Sequence, residues 1–153
     1  MSSKLRSKLK EGAVVFDVDG VLAAYEFGNL CHYAEVWEEA FVSSEDNPYL
    51  TVNPLPVLQE YIKELGRENA YVCSVASPFE QEAKADFVLR NYDIPAENII
   101  FVSSKGEKLT ALRKLREKLG GRQIAIVDDT VKTLDGIYEA GDFLTVHVTS
   151  FFD

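Results

Sequence analysis

The chain has 153 residues, enough for one domain with a substantial core, and its 46% hydrophobic and 27% charged residues are ordinary for a globular protein. A formal net charge of −9 at pH 7 argues against a nucleic-acid polymer or an anionic membrane surface as partner. No apolar run is long enough to cross a bilayer. Lys4, Arg6, Lys8 and Lys10 lie in the first twelve residues with no h-region after them, so the expectation is a solvated basic helix face or a frayed end, no signal peptide, and a cytoplasmic protein.

Strands and helices alternate from there on. An unbroken apolar run predicts a first strand over 13–17, buried on both faces. Leu30, Tyr33, Ala34, Trp37 and Phe41 recur at helical spacing and predict a helix over 29–42. The next helix is expected to start with Asn53 as cap and Pro54 in its first turn, to present Leu55, Leu58, Ile62 and Leu65, and to end at Gly66. A second strand follows over Ala70–Ser74, then a helix opened by Ser77, Pro78 and Glu80 as a capping box. A third strand covers Ile99–Val102, and a helix striped with Leu109, Leu112, Leu115 and Leu119 ends at Gly120 and Gly121. A fourth strand over Ile124–Val127, a short helix over about 131–140 and a fifth strand over Phe143–Val148 complete the pattern. This alternation implies an α/β fold with a parallel sheet, helices on both faces and right-handed crossovers. The segment from about Ala23 to Thr51 is an insertion after the first strand, and it would overhang the carboxyl end of the sheet. Its aromatic residues Tyr25, Phe27, Tyr33, Trp37, Phe41 and Tyr49 are expected mainly as packing, with one or two lining a pocket.

Two acidic pairs end two of the buried strands: Asp17 and Asp19 after the first, Asp128 and Asp129 after the fourth. Ligands of open α/β sheets bind beyond the carboxyl ends of the strands. A lone aspartate there is commonly a helix cap or a turn residue, but four converging carboxylates would repel one another and raise their own pKa values. A divalent cation relieves that repulsion, and oxygen-only ligands favour Mg²⁺ or a similar hard ion. Cys73 lies within a strand and reads as a buried thiol. His32 and His147 have no metal-ligand spacing, and His147 reads as structural.

In chain order the polar residues are Asp17 and Asp19, then Ser74 at the end of the second strand, Lys105 after the third, and Asp128 and Asp129 after the fourth. Phe16-Asp17-Val18-Asp19-Gly20-Val21-Leu22 and Val127-Asp128-Asp129-Thr130 complete the pattern. This arrangement resembles the haloacid dehalogenase-like (HAD) phosphohydrolase superfamily over essentially the whole chain, with Val21 where that family usually has threonine. The resemblance implies a Rossmann-like three-layer α/β/α domain spanning 1–153. Its five-stranded parallel sheet would have the order 3-2-1-4-5, with a short cap insertion at about 23–51. It also implies a Mg²⁺-dependent phosphomonoesterase acting on a small phosphorylated metabolite. Asp17 would be the nucleophile and Asp19 the general acid and base. Ser74 and Lys105 would hold the phosphate. The metal would take Asp17, the Asp19 main-chain carbonyl and Asp129, with Asp128 acting through water or orienting a ligand. Ser77 is the alternative hydroxyl but reads as a helix cap. Lys108 is the alternative lysine, a turn further along its helix than Lys105. Val72-Cys73-Ser74 with Ser77-Pro78, and Ile99-Ile100 ahead of Lys105, resemble the 5′(3′)-deoxyribonucleotidases more closely. That resemblance implies nucleoside monophosphates as substrates.

Two other classes compete. A receiver-type switch uses similar residues on a similar sheet, but its acidic pair comes with the first strand and its lysine with the last. A non-catalytic phosphate-binding module would tolerate loss of a reactive position, and here all of them are filled.

Overall fold

The computed structural model describes residues 1–24 and 47–152. The expected helix over 29–42, and Tyr25, Phe27, Tyr33, Trp37 and Phe41, lie outside the described residues. In chain order the elements are α1 (Ser3–Leu9), β1 (Ala13–Phe16), β2 (Ala23–Ala24), β3 (Asn53–Pro54), α2 (Pro56–Leu65), β4 (Ala70–Val75), α3 (Pro78–Tyr92), β5 (Ile99–Val102), α4 (Glu107–Lys118), β6 (Ile124–Asp128), α5 (Val131–Glu139) and β7 (Leu144–His147). Short 3₁₀ turns link several of them. No described helix is long and apolar enough to cross a membrane.

Five strands form one sheet in the order β5-β4-β1-β6-β7, every pair parallel. Counted along the chain, this is the expected 3-2-1-4-5 order. The period-2 alternation of strand side chains sorts the core into two layers. Val14, Phe16 and Val72 join Leu58, Ile62, Phe87 and Val88 of α2 and α3 on one face. Ala13, Val15, Cys73, Ile124 and Ile126 join Leu112, Leu115, Leu134 and Ile137 of α4 and α5 on the other. All four residues of β1 are fully buried, as the unbroken apolar run predicts for a central strand.

One helix start differs from the expectation. Asn53 and Pro54 do not open α2; they pair antiparallel with Ala24 and Ala23 as a two-stranded ribbon, and Pro56 takes the first helical position. Two prolines two residues apart offer the helix two possible starts. The Leu55 amide donates to Tyr92 Oη at 2.8 Å, and Tyr92 Oη donates to the Leu22 carbonyl, so α3 fastens the loop after β1 to the start of α2. That tertiary tie fixes which proline begins the helix. At the far end Gly66, at φ 90°, receives the chain as expected, its N–H bonded to Ile62 O. Lys4, Arg6 and Lys8 lie on α1 and Lys10 is its C-cap; buried Leu9 anchors the helix.

A candidate active site at the carboxyl ends of β4, β1 and β6

The three strands at the centre of the sheet end side by side, and each delivers a polar residue there. Asp17 follows β1 directly, its N–H still in the ladder with Val127 O at 3.0 Å. After it the chain turns sharply: the Val18 carbonyl accepts from the amides of Val21, Leu22 and Ala23. Gly20 sits in this turn at φ 80°, and a Cβ on it would lie 2.2 Å from Asp129 Oδ2. The glycine is required twice, for its backbone conformation and for the approach of the Asp129 carboxylate.

Alternation decides which helix layer each acid meets. Asp17 continues the row Ala13–Val15, and Asp128 the row Ile124–Ile126, so both point toward the α4 layer. There they meet Lys108, in the first turn of α4. Its Nζ lies 2.8 Å from Asp128 Oδ2 and 3.3 Å from Asp17 Oδ1, and the lysine is 1% exposed. Asp128 Oδ1 also accepts the Thr130 amide at 2.9 Å, closing a turn. Burial is the main force raising the Asp17 carboxyl to about 6; Lys108 opposes it, while Asp128 and Asp19 add to it. Burial alone would lower Lys108, but the two carboxylates outweigh it and hold the ammonium above its usual range. Asp129 is raised by burial and by Asp128.

The structure puts Lys108, not Lys105, against the carboxylates. Lys105 is exposed, and its Nζ is bonded to Thr130 Oγ1 at 3.2 Å. The physical reason is the direction of helical side chains. They lean toward the helix N-terminus, so Lys108 in the first turn of α4 reaches back to the strand ends, whereas Lys105 precedes the helix. Lys108 also stands four residues before Leu112, in the buried stripe of α4. A lysine in an apolar stripe was the signal in the sequence.

On the opposite layer, Ser74 continues the row Ala70–Val72 toward α3 and is 1% exposed. Here a residue missed by the motif reading takes part. Lys84 on α3, three and four residues before Phe87 and Val88, is fully buried. Its Nζ lies 2.9 Å from Asp19 Oδ2, 2.9 Å from Val75 O and 3.3 Å from Ser74 Oγ. Ser77 is exposed and acts as the helix cap expected of it, its amide donating to Glu80 Oε1 at 3.0 Å. Tyr49 is core, as expected of most aromatics there, yet its hydroxyl donates to Asp19 Oδ1 at 2.7 Å. His147 ends β7 and bonds the Asp129 main-chain carbonyl through Nε2 at 3.1 Å. Cys73 is buried, and burial pushes its thiol up to about 12, so it is no nucleophile.

Asp17, Asp128 and Asp129 each bring a carboxylate oxygen within 4.8 Å of the other two. With Gly20 leaving space beside Asp129 and Lys108 compensating only part of the charge, the set suits a hard divalent cation bound by oxygen.

No family model matches the sequence, and no curated protein matches it. Solved structures do. The HAD domain of the effector protein Lem4 from Legionella pneumophila, determined as an inactive mutant, aligns with a TM-score of 0.52 over 90% of this chain and 84% of that chain, at 12% identity. The fold is HAD-like. At that identity the likeness speaks for the HAD-like fold alone, and the chemistry rests on the residues gathered at the strand ends.

Proposed function

We propose that the protein is a Mg²⁺-dependent phosphomonoester hydrolase working through an aspartyl-phosphate. The observation that carries this reading is the convergence of Asp17, Asp128, Asp129 and Lys108 on one point, with Asp19 held two residues beyond Asp17. A carboxylate beside a buried ammonium is a nucleophile that can approach an anionic phosphate. Asp17 Oδ attacks phosphorus as the ester P–O bond breaks, and Asp19 gives its proton to the leaving oxygen. Asp19 then takes a proton from water as that water attacks phosphorus, and the bond to Asp17 breaks. Lys108 offsets charge on the nucleophile, and Ser74 Oγ donates to a phosphate oxygen. Asp17, Asp129 and the Asp19 carbonyl would hold Mg²⁺, with Asp128 orienting; the bound ion neutralises phosphate charge.

Within this reading we place the substrate among small phosphorylated metabolites, and nucleoside monophosphates first. That choice rests on the deoxyribonucleotidase-like motifs and on the aromatic residues of the segment after β1. The test is a screen of deoxynucleoside monophosphates, sugar phosphates and an aryl phosphate, with Mg²⁺ and with EDTA. Turnover should need the metal and vanish in Asp17→Asn, by at least about 1,000-fold, the scale on which losing a nucleophile acts. Full activity in chelator, or in a folded Asp17→Asn, overturns the mechanism. No advantage for nucleotides removes that substrate class and leaves the hydrolase.

A further inference from the structure

A fully buried lysine is costly unless its ammonium is paired. Lys84 has no exposed surface, so the cluster around it must justify its charge. An ammonium carries three N–H donors, and three acceptors stand within 3.3 Å: Asp19 Oδ2, Val75 O and Ser74 Oγ. Glu80 Oε1 is further off, at 3.7 Å, and is itself held by the Ser77 amide. Lys84 thus has no donor left over for a phosphate oxygen. On the other side of Asp19, Tyr49 Oη donates to Oδ1 at 2.7 Å, and the ring of Tyr49 lies 5.7 Å from the Lys84 ammonium.

We propose that Lys84 and Tyr49 are positioning residues that act on the reaction through Asp19, gripping one carboxylate oxygen each and so fixing its orientation toward the leaving oxygen. The proposal rests on the phosphatase reading above. Each contact takes one of the about four lone-pair sites of a carboxylate. Both partners are donors. They hold the Asp19 carboxyl in one orientation for both proton transfers, to the leaving oxygen and from the attacking water. Tyr49 is itself fixed: Asn47 Oδ1 accepts its amide at 3.0 Å, and its ring packs on Phe87 at 5.9 Å between centroids.

The clamp is tested by leaving-group dependence. An alkyl phosphate needs its leaving oxygen protonated, whereas p-nitrophenyl phosphate expels a stable phenolate. Tyr49→Phe should lower kcat/KM for the alkyl ester about tenfold and for the aryl ester less than about threefold. Lys84→Met should act in the same direction by about a hundredfold, within the range of acid–base catalysis. In an Asp19→Asn background both changes should add nothing. With Mg²⁺ present, calorimetry should find the affinity of Tyr49→Phe for inorganic phosphate within about threefold of the parent. Equal losses on both esters, a further loss in the Asp19→Asn background, or phosphate binding weakened tenfold each overturns the clamp. Should Lys84→Met not fold, Tyr49→Phe decides alone, because it removes one hydroxyl and keeps the ring. A parent inactive on both esters overturns the phosphatase reading and the clamp with it; an active parent with unselective losses overturns the clamp alone.

Discussion

The two buried lysines neutralise the two sides of the site differently. On the α4 side Lys108 stands against Asp17 and Asp128, with Asp129 close by, so three carboxylates share one ammonium. On the α3 side Lys84 has one carboxylate within hydrogen-bond distance, and its other donors go to neutral oxygens. The α4 side is left with two negative charges in excess, what one divalent cation supplies. The α3 side, with Asp19 at 2.9 Å and Glu80 at 3.7 Å against one ammonium, is left with one. Under the proposed hydrolase reading, the larger excess falls where the metal would sit, beside Asp17, and the smaller where Asp19 would transfer a proton.

The largest test of this contrast removes a lysine from the α4 side. Breaking a buried ion pair from one end typically costs about 3–5 kcal/mol, since it strands the opposite charge. Lys108→Met should lose stability on that scale in urea unfolding with EDTA, and Mg²⁺ should restore part of it. Lys105→Met should stay within about 0.5 kcal/mol of the parent, as an exposed surface change does. A large cost at Lys105 with none at Lys108 would reverse the roles assigned to them.

A second test uses pH. The folded Asp17 carboxyl is raised from 3.8 to about 6, chiefly by burial. A raised acid favours the protonated folded state, so its contribution is complete below about 3.8 and is lost as pH climbs through about 6. In EDTA, stability should therefore fall between pH 4 and pH 6.5 by up to a few kcal/mol, less whatever the other titrating groups supply. Asp17→Asn should lose that slope. With Mg²⁺ the trend should invert, because the ion competes with protons for the same oxygens and binds more tightly as pH rises. Thermal melts at stepped pH, with and without metal, check both signs. A parent and an Asp17→Asn variant with the same slope would place the titration elsewhere.

The strands, the helices and the parallel sheet were legible because buried strands and amphipathic helices write their periods openly; the order of the strands came from the family resemblance. Asp17, Asp19, Asp128 and Asp129 were legible too, as charges at the ends of apolar runs. Ser74 was found as the polar end of a strand. Of the lysines, Lys108 was legible only as the alternative to Lys105, because motif spacing prefers a charged residue at the strand exit, and Lys84 was missed. Drawing each helix as a wheel would have decided both, since it sets Lys84 among Phe87, Val88 and Tyr92 and Lys108 in line with Leu112 and Leu115. The start of α2 was misplaced because the choice between Pro54 and Pro56 is made by Tyr92, 36 residues beyond the helix start, and no local rule contains it. Tyr49 read as packing, which it is; only the position of its hydroxyl relative to Asp19 adds the second role.

The smallest effect separates the two sides through the metal alone. A ligand that binds the folded chain and not the unfolded one stabilises it by about 2.7 kcal/mol at a hundredfold excess over Kd. The parent should show that gain with Mg²⁺ in a thermal-shift series. Asp129→Ala should show only a small remainder, because it removes the carboxylate that Gly20 makes room for and leaves two of the three clustered acids, both already bonded to Lys108. Tyr49→Phe should keep the full gain, since Tyr49 bonds the Asp19 side chain, which is not one of the three clustered acids. An undiminished shift in Asp129→Ala would move the metal off the α4 side. Equal loss in both variants would mean that the two halves of the site are one coupled unit, and the charge contrast between Lys84 and Lys108 would no longer describe how it works.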